Sequence, residues 1–349
     1  MRWLWLLVVS SVCVASDEPR APFAFQAALP ARCQGALRSD EAIQRCLTTL
    51  NDERPLPFNC SQLSRLRYTG AEPFATGTHK EAFRGVFDKR VDVVIKRPRR
   101  SALHGVAPPS AALDFVEEAM LMVLLRAPMH VELLGHCYRD MDTLNIVRYA
   151  TPWREIVPDR SLLSYEARVD VATQLVDMLQ WWLDSPFGSL VHCDIYDFQF
   201  ALLPPPAGGH GARRFGVQLV DLDGLRPEPV TPAHACGGGH VGEPAVCGRH
   251  CFKGEHYRAK VYGAFAQPLE AVCVEGACRG FDASFNVWTV CRVLFFDLFL
   301  LNERPGVVPE SRVDYVRSLL DECAAPDPRE RPSLRRLRAK LDKLAVTAA

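Results

Sequence analysis

The chain has 349 residues, long for one compact domain and short for three. Hydrophobic side chains make up 48% of it, enough for a sizeable core. Lys and Arg total 41, as do Asp and Glu, and this balance argues against a nucleic-acid partner or a polybasic membrane surface.

Residues 1–16 combine a basic Arg2, an apolar run opening at Trp3 and small residues at Cys13, Ala15 and Ser16. That is the pattern of a cleaved secretory signal peptide, with a signal anchor as the lesser alternative. The run stops near residue 15, short of the ~20 residues a bilayer span requires. The best later stretch, Val287 to Leu301, is interrupted by Arg292 and Asp297. No stable membrane insertion is therefore expected after signal cleavage. Loss of Cys13 would leave twelve of the thirteen cysteines, an even number on an oxidising route, which favours disulfides.

Residues 17–60 read as a Cys-containing extension pinned by Cys33, Cys46 and Cys60, with a short helix at Glu41 to Leu50. Asn59-Cys60-Ser61 is an N-glycosylation sequon, which implies exposure if it is used. Strand patterns follow at Arg67 to Gly70, Glu81 to Phe87 and Val91 to Ile95. A loop covers 101–110. A helix is predicted from Asp114 to Leu125, with Phe115, Ala119, Met122 and Val123 on one face. Strands are predicted at Val131 to Cys137 and Leu144 to Tyr149. The longest helical pattern runs from Ser161 to Leu183, with Leu162, Val169, Ala172, Leu175, Val176 and Leu179 inward, and Asp184-Ser185-Pro186-Phe187-Gly188 stops it. Short strands at Gln199 to Leu203 and Val217 to Leu222 come next. A Cys/Gly/His-rich insert spans about 233–278. A disulfide-stapled loop is its plainer reading, and zinc at Cys247, His250, Cys251 and His256 the alternative. Helices close the chain at Phe285 to Leu301, Pro309 to Leu320 and Ser333 to Val346. The order is α+β: a β-rich part with one helix, about 61–150, then a mainly helical part, about 151–346.

Six motifs follow one another with the spacing of a phosphoryl-transfer enzyme. Phosphoryl transfer asks for positioning and charge neutralisation more than covalent chemistry. Val93-Val94-Ile95-Lys96 matches the V-A-I-K string whose lysine reaches the α/β-phosphates of ATP. Upstream, Phe74 to Phe83 has the length and placement of a Gly-rich loop. Only Gly77 survives there, with Ala75 and Lys80 at the other glycine positions. On the next predicted helix Glu118 could fix Lys96, with Glu117 as its competitor. Val191-His192-Cys193-Asp194 stands where H-R-D is placed, so Asp194 would orient the acceptor hydroxyl and take its proton. Five residues on, Gln199 takes the place of the metal-binding Asn. Asp221-Leu222-Asp223 fills the D-F-G slot, with Asp221 holding Mg or Mn and Asp223 adding charge. Asn286-Val287-Trp288 and Asp327-Pro328-Arg329-Glu330-Arg331-Pro332-Ser333 resemble two structural strings of the helical lobe of protein kinases. In kinases the arginine of the second string, here Arg331, anchors a buried ion pair with a glutamate.

Over about residues 58–345 the chain resembles the secretory kinases that include vertebrate lonesome kinase, and more distantly protein O-mannose kinase. The strings that carry this are Gly135-His136-Cys137-Tyr138-Arg139-Asp140, Ser185-Pro186-Phe187-Gly188-Ser189, Asp194 with Gln199-Phe200, Asp221-Leu222-Asp223, and Cys278 followed by Asn286. The resemblance implies a bilobal protein-kinase-like fold, with a kinase domain at 61–346. It also implies ATP with Mg or Mn as cofactors, and secreted or lumenal proteins as substrates. The implied location is the endoplasmic reticulum or Golgi lumen, or outside the cell. A tyrosine acceptor is inherited from the resemblance alone. Cys193 in place of arginine predicts no switch by activation-loop phosphorylation. Two alternatives stay open: a glycan kinase like protein O-mannose kinase, and a pseudokinase scaffold, toward which the degraded Gly-rich loop and Cys193 point.

Overall fold

A computed structural model describes residues 40–50, 56–77, 80–99, 110–138, 143–159, 161–192, 195–204, 215–222, 224–227, 272–274, 277–279, 283–299, 306–325 and 327–345. The expectations for 1–39, for the loop after Arg100 and for most of the Cys-rich insert, including the zinc alternative, fall outside these residues. The chain divides into two compact units, 1–149 and 150–349.

The first unit is built on an antiparallel sheet. Its strands are β1 (Leu66–Tyr68), β2 (Ala75–Thr76), β3 (Lys80–Phe87), β4 (Val91–Pro98), β5 (Leu133–Cys137) and β6 (Leu144–Arg148). Their order is β1-β3-β4-β6-β5, with β2 paired to β3. Asp88 and Lys89 turn β3 into β4 with φ of 54° and 61°. Positive φ at both central positions matches the twist of the flanking strands. Val93 and Ile95 alternate with more exposed neighbours and bury fully. They join Phe58, Phe87, Leu134, Cys137, Leu144 and Ile146 in one core. Phe58 belongs to this core although it precedes the first strand, and its N–H bonds the carbonyl of Leu134 at 3.1 Å. Two helices, α1 (Asp40–Leu50) and α2 (Ser110–Leu125), pack against each other. A 3₁₀ helix, Cys60–Arg65, is capped by Asn59.

The second unit is mainly helical. The helix expected from Ser161 starts at Tyr165, because the Ser164 side chain accepts the N–H of Ala167 and caps it. Leu162, expected inside, is 50% exposed in the preceding turn. This helix, Tyr165–Leu183, buries Val169, Ala172, Leu175, Val176, Leu179 and Trp182. Phe200–Leu203 (β9) pairs Gly216–Leu219 (β10), and Thr151–Pro152 (β7) pairs β9. Leu190–His192 (β8) pairs Leu225–Pro227 (β11). The end of the expected Cys-rich loop is a hairpin, Val272–Val274 against Ala277–Arg279, with Cys273 opposite Cys278. The helix expected from Phe285 runs from Ala283 to Phe299, with a π-helical stretch at Val290–Phe295. Glu310–Cys323 and Leu334–Ala345 complete the unit.

Two disulfides join described residues, Cys60–Cys137 in the first unit and Cys291–Cys323 in the second. Cys46 is disulfide-bonded as well. Among the described residues no helix is long and apolar enough to cross a membrane.

Candidate functional site

In the first unit, Lys96 lies on β4 and Glu118 on α2. Glu118 is fully buried and Lys96 is 7% exposed. Lys96 Nζ donates to Glu118 Oε1 at 2.5 Å. The other carboxylate oxygen, Oε2, accepts from Lys80 Nζ at 3.1 Å. One buried carboxylate thus serves two ammonium groups, and the cluster of these three charges is net positive. Glu118 is reached through helix spacing: it lies three residues after Phe115 and four before Met122, both buried. Glu117 is less buried than Glu118.

Ala75 and Gly77 sit on the hairpin that leads into Lys80. Ala75 pairs Ala82, and Gly77 N–H bonds the Lys80 carbonyl at 2.8 Å. Both residues are exposed. Ala75, Thr76 and Gly77 present backbone and small side chains to solvent, and Lys80 reaches Glu118.

Behind Lys96, polar side chains lock α2 to the sheet. Asn145 is paired with Lys96 across β4 and β6. Its amide donates to the Phe115 carbonyl at 3.2 Å and accepts from Tyr138 Oη at 2.6 Å. Phe115 lies one turn ahead of Glu118, so this clamp fixes the height of the glutamate over Lys96. His136 stacks on Tyr138 at 5.5 Å. Its Nδ1 lies 3.2 Å from Gln44 Oε1. An amide oxygen only accepts, so Nδ1 carries the hydrogen. Burial pushes the His136 pKa down to about 4. None of this network stood among the expected site residues. The signal for it was Asn145 inside the otherwise apolar run Leu144 to Val147.

In the second unit, His192 ends β8 two residues before Asp194. Asp194 and Asp223 fall outside the described residues. The His192 N–H donates to Asn286 Oδ1 at 3.0 Å, and Asn286 Nδ2 donates to the Leu190 carbonyl at 2.8 Å. The His192 ring stacks on Trp182. Its Nε2 lies 3.1 Å from the carbonyl of Asp221, and a carbonyl only accepts, so Nε2–H is the donor. The segment leading to Asp194 is thereby joined to the backbone of Asp221. Gln199 comes to the same place: Val220 N–H donates to the Gln199 carbonyl at 2.7 Å. Of the expected metal residues, Gln199 and Asp221 are therefore brought to adjoining positions.

Gln199 is buried, and its Oε1 accepts the N–H of Tyr196 at 2.9 Å. A carbonyl oxygen has two lone pairs, so this bond does not by itself exclude a cation at the same atom. With the carboxylate of Asp221, the donors are hard oxygens of the kind Mg²⁺ and Mn²⁺ accept. Among the described residues no group of three or more His, Cys, Asp or Glu side chains could hold a metal.

Between Asp194 and Gln199, Asp197 is paired with Arg154 through both carboxylate oxygens. Tyr196 and Phe198 stack at 5.1 Å, and Arg154 lies over Phe198 at 5.6 Å. Farther on, Arg331 is buried and donates to the carbonyls of Ala325 and Ser284. No protein-family model matches the chain, and no curated protein matches it.

Proposed function

We propose that this chain has a bilobal protein-kinase fold and is an ATP-dependent protein kinase of the secretory pathway or extracellular space. The observation that carries the proposal is the Lys96–Glu118 pair. Burying an ion pair costs several kcal/mol of desolvation per ion, and an apolar pair of the same volume is often as stable. A lysine held by a fully buried glutamate, with a second lysine on the same carboxylate, is therefore better explained by a ligand than by stability. A polyphosphate is the ligand whose charge and length suit two ammonium groups beside an exposed small-residue hairpin. The bond from His192 to the Asp221 carbonyl adds support. It ties the segment before Asp194 to the segment of Asp221, the two places where phosphoryl transfer needs carboxylates.

In this mechanism Lys96, oriented by Glu118, holds the α- and β-phosphates, and Ala75, Gly77 and Lys80 cover them. Asp194 accepts the proton of the acceptor hydroxyl as its oxygen bonds to the γ-phosphorus. The bond from that phosphorus to the β–γ bridging oxygen breaks, and ADP leaves. Asp221 and Gln199, with Asp223, would hold Mg²⁺ or Mn²⁺, which when bound neutralises charge on the phosphates. The disulfides and the lack of a membrane-spanning helix among the described residues are compatible with a lumenal or secreted protein.

The test is transfer of the γ-phosphate by the secreted, purified chain. Mixed secreted proteins and an O-mannosyl glycopeptide serve as acceptors, beside Lys96→Met and Asp194→Ala variants. Phosphate on protein, lost in both variants, upholds the proposal. Phosphate on the sugar would make it a glycan kinase, and absence of both transfer and nucleotide binding would make it a scaffold.

A further inference from the structure

We infer that Asn59 is an N-glycosylation acceptor whose glycan is compatible with the folded first unit; the inference rests on the secretory reading above. A sequon is common, and most of its meaning lies in what its three residues are doing. Asn59 and Ser61 are both exposed. Asn59 caps the 3₁₀ helix Cys60–Arg65, and it does so entirely through its oxygen. Oδ1 accepts from the Ser61 N–H at 2.9 Å and from Ser61 Oγ at 2.7 Å. The backbone N–H of Asn59 is taken by Gln62 Oε1 at 2.7 Å. Among the described residues Nδ2 donates to nothing. Glycosylation replaces one hydrogen on Nδ2 and leaves Oδ1 an amide oxygen, so the cap survives the modification. The Ser61 hydroxyl already addresses the amide that must react.

The middle residue of the sequon, Cys60, is bonded to Cys137, 77 residues downstream. At a synthesis rate of about 5–20 residues per second, Cys137 is made roughly 4–15 s after Cys60. Asn59 is thus presented on an open chain before its neighbour can be closed into that disulfide. The donor is a polyprenyl-pyrophosphate-linked oligosaccharide of the secretory lumen. Asn59 Nδ2 bonds to the C1 carbon of the first sugar, the C1–O bond to pyrophosphate breaks, Nδ2 loses one proton, and the lipid pyrophosphate leaves.

The experiment expresses the full chain in secreting eukaryotic cells, once with its own N-terminus and once behind a foreign cleavable leader. Peptides spanning 56–65 are mapped before and after an amidase that removes N-glycans and leaves aspartate. The expected result is a glycan at Asn59, lost in Asn59→Asp and Ser61→Ala and kept in Ser61→Thr. Asn59→Asp keeps the capping oxygen, so its secretion and fold should stay intact. That variant separates loss of the glycan from loss of the cap. A glycan seen only behind the foreign leader upholds Asn59 as an acceptor and overturns the secretory reading. An unmodified Asn59 in both arms overturns the inference.

Discussion

Glu118 and Lys96 should not be equivalent partners, although each is half of the same buried ion pair. Replacing Lys96 with Met leaves Glu118 fully buried but still bonded to Lys80 at 3.1 Å. Replacing Glu118 with Met strips both lysines of their shared carboxylate at once. Their side chains are only 9% and 13% exposed. Removing the partner of a buried charge costs about 3–5 kcal/mol, whereas losing one hydrogen bond to a charged group costs about 1.5–3 kcal/mol. Glu118→Met should therefore be the more destabilising by about 2 kcal/mol, roughly a 30-fold difference in opening equilibrium. The first unit has no tryptophan between residues 40 and 149, so fluorescence would report the wrong half. Amide hydrogen exchange on peptides covering 91–98 and 115–125 reads the opening directly. Equal protection in the two variants, or better protection in Glu118→Met, would refute the reasoning. It would mean that the two ammonium groups are satisfied without this carboxylate and that the cluster is not held by it.

Three further outcomes follow from the same structure. His136 is held neutral by burial, with its pKa down at about 4 against 6.5 when unfolded. The unfolded chain therefore binds a proton that the folded one refuses as pH falls from 6.5 to 4. Stability is full above that window and should drop by about 3 kcal/mol across it; urea midpoints measured across it should flatten in His136→Gln. A Cβ on Gly135 would sit 2.2 Å from the Phe58 carbonyl oxygen. Gly135→Ala should cost about 3 kcal/mol or more, read as a lower yield of folded protein and a lowered melting temperature. Cys291 and Cys323 close 32 residues, which in the chain-entropy treatment is worth about 3.7 kcal/mol. The Cys291→Ala/Cys323→Ala double variant should unfold at correspondingly lower urea.

What could be read from the residues in advance was mostly local. Alternation at Val93 and Ile95 marks β4, and the spacing of Phe115, Glu118 and Met122 puts the glutamate on the buried face of α2. Helix starts were less legible, because Ser161 and Ser164 are both competent caps and the choice between them depends on turn contacts. Ser161 bonds Asp159 in the turn, while Ser164 takes the cap and leaves Leu162 facing water. The π-helical stretch Val290–Phe295 could not be foreseen, since five apolar residues around Arg292 look alike at any helical period. The bonds from Asn286 to Leu190 and His192 cross more than ninety residues, and no local pattern encodes them. His136 and Tyr138 enter the sequence reading only as part of a string and Asn145 not at all, because the partners that give them a role, Gln44 and Phe115 among them, lie on other elements.

The amide of Asn286 has a consequence for the strand edge of β8 while the chain is being made. β8 has β11 as its paired strand. The Leu190 carbonyl and the His192 N–H are both taken by this one side chain, in the pattern a neighbouring strand's peptide group would offer. A helix side chain thus occupies an edge that would otherwise be a template for a second chain. Asn is suited to this, since an aspartate could accept from His192 but could not donate to Leu190. The cover comes from a helix made more than ninety residues later, so this edge is exposed to stray pairing only until residue 286 has been synthesised and docked.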